Sequence, residues 1–211
     1  MKKGVSILIF LFVLGTQMTA QNEGDERANE IPKGTFKAGL VLGLNACQID
    51  GDAFAGYNKL GLQAGIEVAY RVDNLWMYSV GIFYNQKGSR TNPQINRLFG
   101  VTHYQLDYVE VPLMLNYVDG GIRISAGLSY GRLIDIDIAL DAVDETALRA
   151  PYYLDNDFSV VLGFGYFIDE HWGFDFRWTR SILNIVDLDV GNIINQPQVN
   201  KYLSFRSTYL F

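Results

Sequence analysis

From residue 36 onward the chain alternates between apolar and polar or small side chains. Phe36, Ala38, Leu40, Leu42 and Leu44 are separated one by one by Lys37, Gly39, Val41 and Gly43, with Asn45 following. Successive side chains of an extended strand point to opposite faces, so such a segment meets an apolar environment on one side and a different one on the other. The contrast returns seven more times, over 62–71, 76–85, 109–117, 122–131, 158–167, 172–179 and 202–211. Eight strands of about ten residues are predicted, each long enough to cross a bilayer at a tilt.

The direction of the apolar face decides between a soluble barrel and a membrane barrel. A soluble barrel turns its larger, more apolar set inward to fill a core. Here that set is bulky in every strand, while the other mixes glycine and serine with Lys37, Glu67, Arg71, Glu110, Arg123, Asp175, Arg177 and Arg206. Eight strands enclose a lumen barely wide enough for side chains, and the bulky set would overfill it. Turned outward into lipid, it leaves the polar set to fill the lumen. The carboxylates Glu67, Glu110 and Asp175 are then expected to pair with Lys37, Arg71, Arg123, Arg177 and Arg206, since an unpaired buried charge costs several kcal/mol or more. Phe83, Phe167, Tyr202, Met77 and Met114 fall on the inward set and are expected to close the lumen to solutes. Phe36, Tyr70, Trp76, Tyr117 and Trp172 lie near strand ends, where a membrane-water boundary favours aromatic rings.

The connections alternate as well. Three are brief: 72–75, the stretch around Asp119 and Gly120, and 168–171; four are long, at about 46–59, 86–103, 136–155 and 183–199. Short periplasmic turns and long outer loops mark an outer-membrane barrel, with both termini in the periplasm. Phe205, Tyr209 and Phe211 occupy alternate outward positions of the last strand and are expected to serve as its insertion signal, read by the barrel-assembly machinery.

Ahead of the strands, Lys2 and Lys3 precede an apolar stretch from Val5 to Leu14 and small or polar residues up to Ala20. That is the order of a secretory signal peptide, and the apolar stretch is too short to span a bilayer as a helix. Residues 1–20 are expected to be removed, 21–34 to form a periplasmic tail, and 35–211 to form an all-β, eight-stranded antiparallel transmembrane β-barrel. Without Lys2 and Lys3 the chain keeps 15 of its 17 basic residues against 23 acidic ones, a formal charge of −8 with histidine neutral. Nucleic acid is an unsuitable partner for such a surface. Outer-membrane lipid is the expected one.

The stretch GLNACQIDGDAFAGYNKLGLQAG at 43–65, together with YNQKGSR at 84–90 and YVEVPLML at 108–115, resembles the PorT-like outer-membrane barrel family of Bacteroidota. The resemblance spans essentially the chain after residue 20, with Cys47 standing where a small polar residue is expected. It implies an outer-membrane barrel. The family's namesake belongs to the type IX protein secretion apparatus, while many relatives have no assigned role, so activity transfers less readily than fold.

Catalytic chemistry finds little support in the residues. The chain has two histidines, His103 and His171, and neither is accompanied by a nucleophile motif. Asp135, Asp137, Asp141, Asp144 and Glu145 offer hard oxygen donors without the glycine and spacing of a calcium loop, and Asp50, Gly51 and Asp52 match too little of one. No cofactor or metal is expected. The expected role is a non-enzymatic barrel that scaffolds or assists an envelope machine such as type IX secretion. The alternatives are a barrel that binds or adheres through its outer loops and, behind it, a lipid-modifying enzyme with a base at His103.

Overall fold

The computed structural model describes residues 33–52, 54, 56–91, 103–140, 143–144, 146, 152–187 and 196–211. The leader expected at 1–20 and nearly all of the expected tail at 21–34 lie outside them. Eight long strands are β1 (Phe36–Asp50), β2 (Lys59–Arg71), β3 (Trp76–Arg90), β4 (His103–Asp119), β5 (Ile122–Leu140), β7 (Asn156–Phe167), β8 (Trp172–Ser181) and β9 (Val199–Leu210); β6 (Val143–Asp144) is a two-residue addition to the end of β5. Every long strand pairs antiparallel with its neighbours in sequence, and β9 pairs with β1 while β4 pairs with β5, so the sheet closes on itself.

The register fixes the dimensions. Partners followed around the ring from Lys37 pass through Ala69, Ser79, Met114, Gly127, Val161, Thr179 and Tyr202 and return to β1 at Cys47. The ring therefore closes with a stagger of ten residues. For eight strands spaced about 4.8 Å apart and rising about 3.3 Å per residue, that stagger tilts the strands by roughly 40° and sets a radius of about 8 Å. Each residue then adds about 2.5 Å of height.

The two faces sort as the alternation predicts. Outside, Leu40, Leu42, Leu44, Ile66, Val80, Ile82, Leu113, Ile124, Leu128, Leu162, Phe164 and Phe176 are exposed around the whole circumference. At the end of the short turns this belt finishes in aromatic pairs: Phe36 stacks on Tyr70 with centroids 4.4 Å apart, Trp76 meets Tyr117 edge-on at 5.5 Å, and Trp172 meets Tyr209 at 4.9 Å. Inside, Phe83, Phe167, Tyr202, Met77 and Met114 are buried.

Four strands run past the ends that the sequence suggests. The expected loops at 46–59, 86–103 and 136–155 begin instead as continuing strand, to Asp50 on β1, Arg90 on β3 and Leu140 on β5, and β4 starts at His103 rather than near 109. On β5 a bulge explains the discrepancy. Asp107 pairs with Asp135 but Tyr108 with Leu133, so β5 carries one extra residue there. An extra residue exchanges the faces beyond it: inward positions are odd up to Gly131, and Ile138 is inward above. The acidic Asp135 and Asp137, which lie beyond the strand end expected at 131, are thus the outward residues of a strand.

The turns at the other end are built alike. In 72–76 and 168–172 the aspartate at the second position, Asp73 or Asp169, accepts backbone N–H bonds from the residues two and three further on, at 2.8 Å in the first turn and 2.7 Å in the second. Val72 and Ile168 donate their N–H to the carbonyls of Trp76 and Trp172. The third turn uses Gly120 and Gly121, both at positive φ, which a two-residue hairpin requires and glycine supplies without strain. The backbone donors hold the Asp73 and Asp169 carboxyls below the usual carboxylate range. A depressed folded pKa stabilises above the unfolded value, near pH 4, and that contribution is lost as pH falls through the folded value. A barrel carrying both Asp73→Ala and Asp169→Ala is expected to lose part of its stability at pH 7 and to be less sensitive than wild type to acidification below about pH 4. Urea unfolding at several pH values checks this; parallel pH profiles would contradict it.

Candidate functional site

The interior of the barrel holds two buried charge clusters, one above the other. In the lower one, nearer the short turns, Glu67 of β2 and Asp175 of β8 face three guanidinium groups. Arg123 lies 3.3 Å from Glu67 and 3.2 Å from Asp175; Arg177 lies 3.2 Å from Glu67 and 2.9 Å from Asp175; Arg206 lies 3.2 Å and 3.0 Å from the same two groups. The planar fork of arginine suits this sharing of two carboxylates among three cations. Arg123 also lies over the Phe167 ring and Arg206 over the Phe83 ring, at 5.4 and 5.3 Å from the centroids.

The upper cluster is centred on Lys87 of β3. Its ammonium group contacts Glu110 and lies 2.8 Å from Asp157, with the Tyr108 ring 4.3 Å and the Tyr202 ring 5.2 Å away. Glu110 accepts hydrogen bonds from the Tyr202 hydroxyl at 2.9 Å and from the Asn85 amide, and Asp157 accepts one from Asn200 at 3.0 Å. Three cations with two anions below, and one cation with two anions above, leave each cluster one charge from neutral and opposite in sign. The crevice between them, bordered by Gln63, Glu110, Tyr202, Arg177 and Arg206, has a volume of about 10 Å³. Nothing larger than one water fits such a space.

Of the eight charges expected to share one lumen network, five meet in the lower cluster and Glu110 belongs to the upper. Lys37 and Arg71 stand apart. Lys37 is at the rim, 3.3 Å from Glu170 of the adjoining turn, and Arg71 donates to the carbonyls of Asp73 and Asn74, capping the first turn. Both are too close to the strand ends to reach the middle of the barrel. Lys87 and Asp157, unforeseen in the sequence, complete the upper cluster.

Apolar groups shut both ends. Below, Ala69, Met77, Val118, Phe167 and Leu210 pack together. Above, the inward residues Ile49, Tyr104, Leu106, Tyr108 and Ile138 pack with Tyr153, Ile185 and Val186 from the outer connections. Backbone bonds from Leu154 to Ile185 and from Asp187 to Tyr152 tie those connections together across the mouth. The walls of β4 and β5 reach roughly 40 Å above the short turns, whereas an outer-membrane belt is about 25 Å tall. The upper plug therefore fills a crown that stands clear of the membrane.

The remaining candidates are dispersed. His171 stacks on Tyr209 at 5.8 Å, and His103 pairs in register with Arg90 and Ala139; among the described residues neither hydrogen-bonds a serine or cysteine side chain. Cys47 is buried inside the barrel, with its Sγ 3.5 Å from the Gln86 carbonyl. Asp52 accepts the Phe54 N–H at 2.8 Å. Asp141 and Glu145 lie outside the described residues, within which no group of three or more His, Cys, Asp or Glu is placed to hold a metal ion. Phe205 and Tyr209 face outward, and the Phe211 N–H is bonded to the Ala38 carbonyl at 2.8 Å.

A closed antiparallel barrel with an aromatic girdle and an outer belt that, among the described residues, carries apolar side chains and no charged one defines an outer-membrane β-barrel protein. The chain belongs to the outer membrane protein beta-barrel domain family, whose model matches residues 19–187. No curated protein gives a significant sequence match. Similar solved structures include Ail, the attachment invasion locus protein of Yersinia pestis, with 11% identity over 85% of this chain and 100% of that one and a TM-score of 0.48. The outer membrane protein OprG of Pseudomonas aeruginosa is 15% identical over 89% of this chain and 99% of that one, also at 0.48. Neisserial surface protein A is 13% identical over 83% and 97%, again at 0.48.

Proposed function

We propose that this protein is a non-enzymatic outer-membrane scaffold that works through its outer end, where it holds a partner protein of the cell envelope. The observation that carries this reading is the filled interior. Two charge clusters and two apolar plugs occupy the barrel from rim to rim, so the barrel offers no route for a solute, and its rigid wall extends beyond the membrane where a partner can reach it. Loops between such strands carry binding while the strands position them. The PorT-like pieces at 43–65, 84–90 and 108–115 support a finer reading, in which the protein is a Bacteroidota accessory of type IX secretion. A deletion strain is expected to lose secreted proteins while keeping normal lipid A and normal surface adhesion. Intact secretion with lost adhesion would replace the scaffold by an adhesin. Intact secretion with altered lipid A in a His103→Ala strain would replace it by an enzyme.

Insertion of the barrel is proposed to depend on the aromatic ladder Phe205, Tyr209 and Phe211, recognised by the assembly machinery. Deleting Phe211 is expected to lower the amount of heat-modifiable barrel in the outer membrane several-fold without changing synthesis. Unchanged assembly would leave these rings as lipid-facing packing only.

A further inference from the structure

We propose that Arg180 and Lys201, with the aromatic face beneath them, bind the phosphate group of an outer-leaflet lipid. The two residues are register partners on β8 and β9 and point outward. Each stands eight residues from the girdle pair Trp172 and Tyr209 on its own strand, or about 20 Å higher, at the outer edge of the apolar belt. Tyr84 stands at the same height above Trp76. A phosphorylated headgroup lies at this level, and its acyl chains descend over Trp178, Leu203, Phe176 and Phe205, the last two with ring centroids 5.1 Å apart.

Charge marks this side of the barrel as the one that accepts a phosphate. The facing carboxylate is Asp50 alone among the described residues, at 3.7 Å from Arg180 and 3.9 Å from Lys201, and those two side chains remain 48% and 27% exposed. One carboxylate shared loosely by two cations leaves a surplus positive charge, in a chain whose formal charge is −6. The other outward arginine at this height, Arg132, is closely matched by Asp155 at 2.7 Å. On the opposite side Asp107 and Asp135 are register partners, with Tyr84 bonded to Asp107 at 2.6 Å, so a phosphate there would meet like charge. An arginine fork and a lysine point charge together match the oxygens of a phosphate. The assignment stands independently of the proposed scaffold role.

Trp178 lies on the outward set of β8, two residues below Arg180, and reports on a lipid held there. A chain with Trp76→Phe and Trp172→Phe, keeping Trp178 alone, is reconstituted into phosphatidylcholine vesicles with increasing brominated phosphatidic acid, and quenching is compared with that by brominated phosphatidylcholine. The phosphatidic acid is expected to be preferred about fivefold, the effect of one surplus basic charge near a membrane surface. The preference should disappear in Arg180→Gln with Lys201→Gln, persist in Arg180→Lys, and weaken as salt is raised. Heat-modifiable gel mobility confirms that each variant is folded. No preference in the parent chain, or an unchanged one in the double variant, overturns the site. Complete suppression by millimolar inorganic phosphate overturns the lipid as its occupant.

Discussion

Replacing Glu67 by glutamine is expected to destabilise the folded barrel by about 3–5 kcal/mol, the loss typical when one partner of a buried ion cluster is removed. Glu67 receives Arg123, Arg177 and Arg206 at once, and without its charge three buried guanidinium groups would face Asp175 alone. The lower cluster would go from one surplus positive charge to two in a space sealed from water. The midpoint of urea unfolding in lipid vesicles measures the loss. Lys37→Gln is the matched control, because its partner Glu170 is 43% exposed and a pair of that kind contributes about 0–1 kcal/mol. Adding Arg206→Met to Glu67→Gln is expected to recover part of the stability, since coupled sites depart from additivity by about 0.5–3 kcal/mol. A loss below 1 kcal/mol for Glu67→Gln would mean that the cluster does not hold the barrel together.

Leu42→Arg is expected to cost about 2–4 kcal/mol, because Leu42 points outward near the middle of the belt and the cost of a cation there is set by lipid. Leu42 is 67% exposed. On a water-facing surface the same exchange would fall within about 0.5 kcal/mol of neutral. Gln48→Arg, three turns of the pleat higher on the same face of β1 and above the belt, is expected to be close to neutral. Equal, small effects at both positions would place the outer surface in water.

Much of this architecture is legible in the alternation of side chains. Eight strands, their inward and outward sets, the girdle and the short turns follow from a period of two and from the volume an eight-stranded lumen can hold. The strand ends are less legible, for a physical reason. Above the belt the outward face meets water, so Asp135, Asp137 and Gln105 replace leucine and valine, and the apolar contrast fades while the strand continues. The bulge at Leu133 then exchanges the faces on β5, and a reader following odd positions inward loses the strand there.

The same loss of contrast hides two of the three charges of the upper cluster. Lys87 lies in a stretch read as the start of a loop, yet odd positions of β3 remain inward through Phe83, Asn85, Lys87 and Ser89, all of them buried. Extending the parity by two residues would have found it. Asp157 likewise continues the odd inward set of β7 from Ser159 and Val161. Lys37 and Arg71 illustrate the opposite limit: parity assigns a side chain to the lumen, but height decides its partner, and both lie at the rim. Nor does the sequence reveal that the lumen charges split into two clusters of opposite surplus, since that depends on the stagger of ten that brings Glu67, Asp175 and Arg206 to one level.

A barrel filled from rim to rim by two charge clusters and two apolar plugs passes no solute. Planar-bilayer recording of the purified, heat-modifiable barrel tests it most directly. The filled interior predicts a baseline without unitary steps at any holding potential the bilayer withstands. A steady conductance of the size given by water-filled barrels would contradict it.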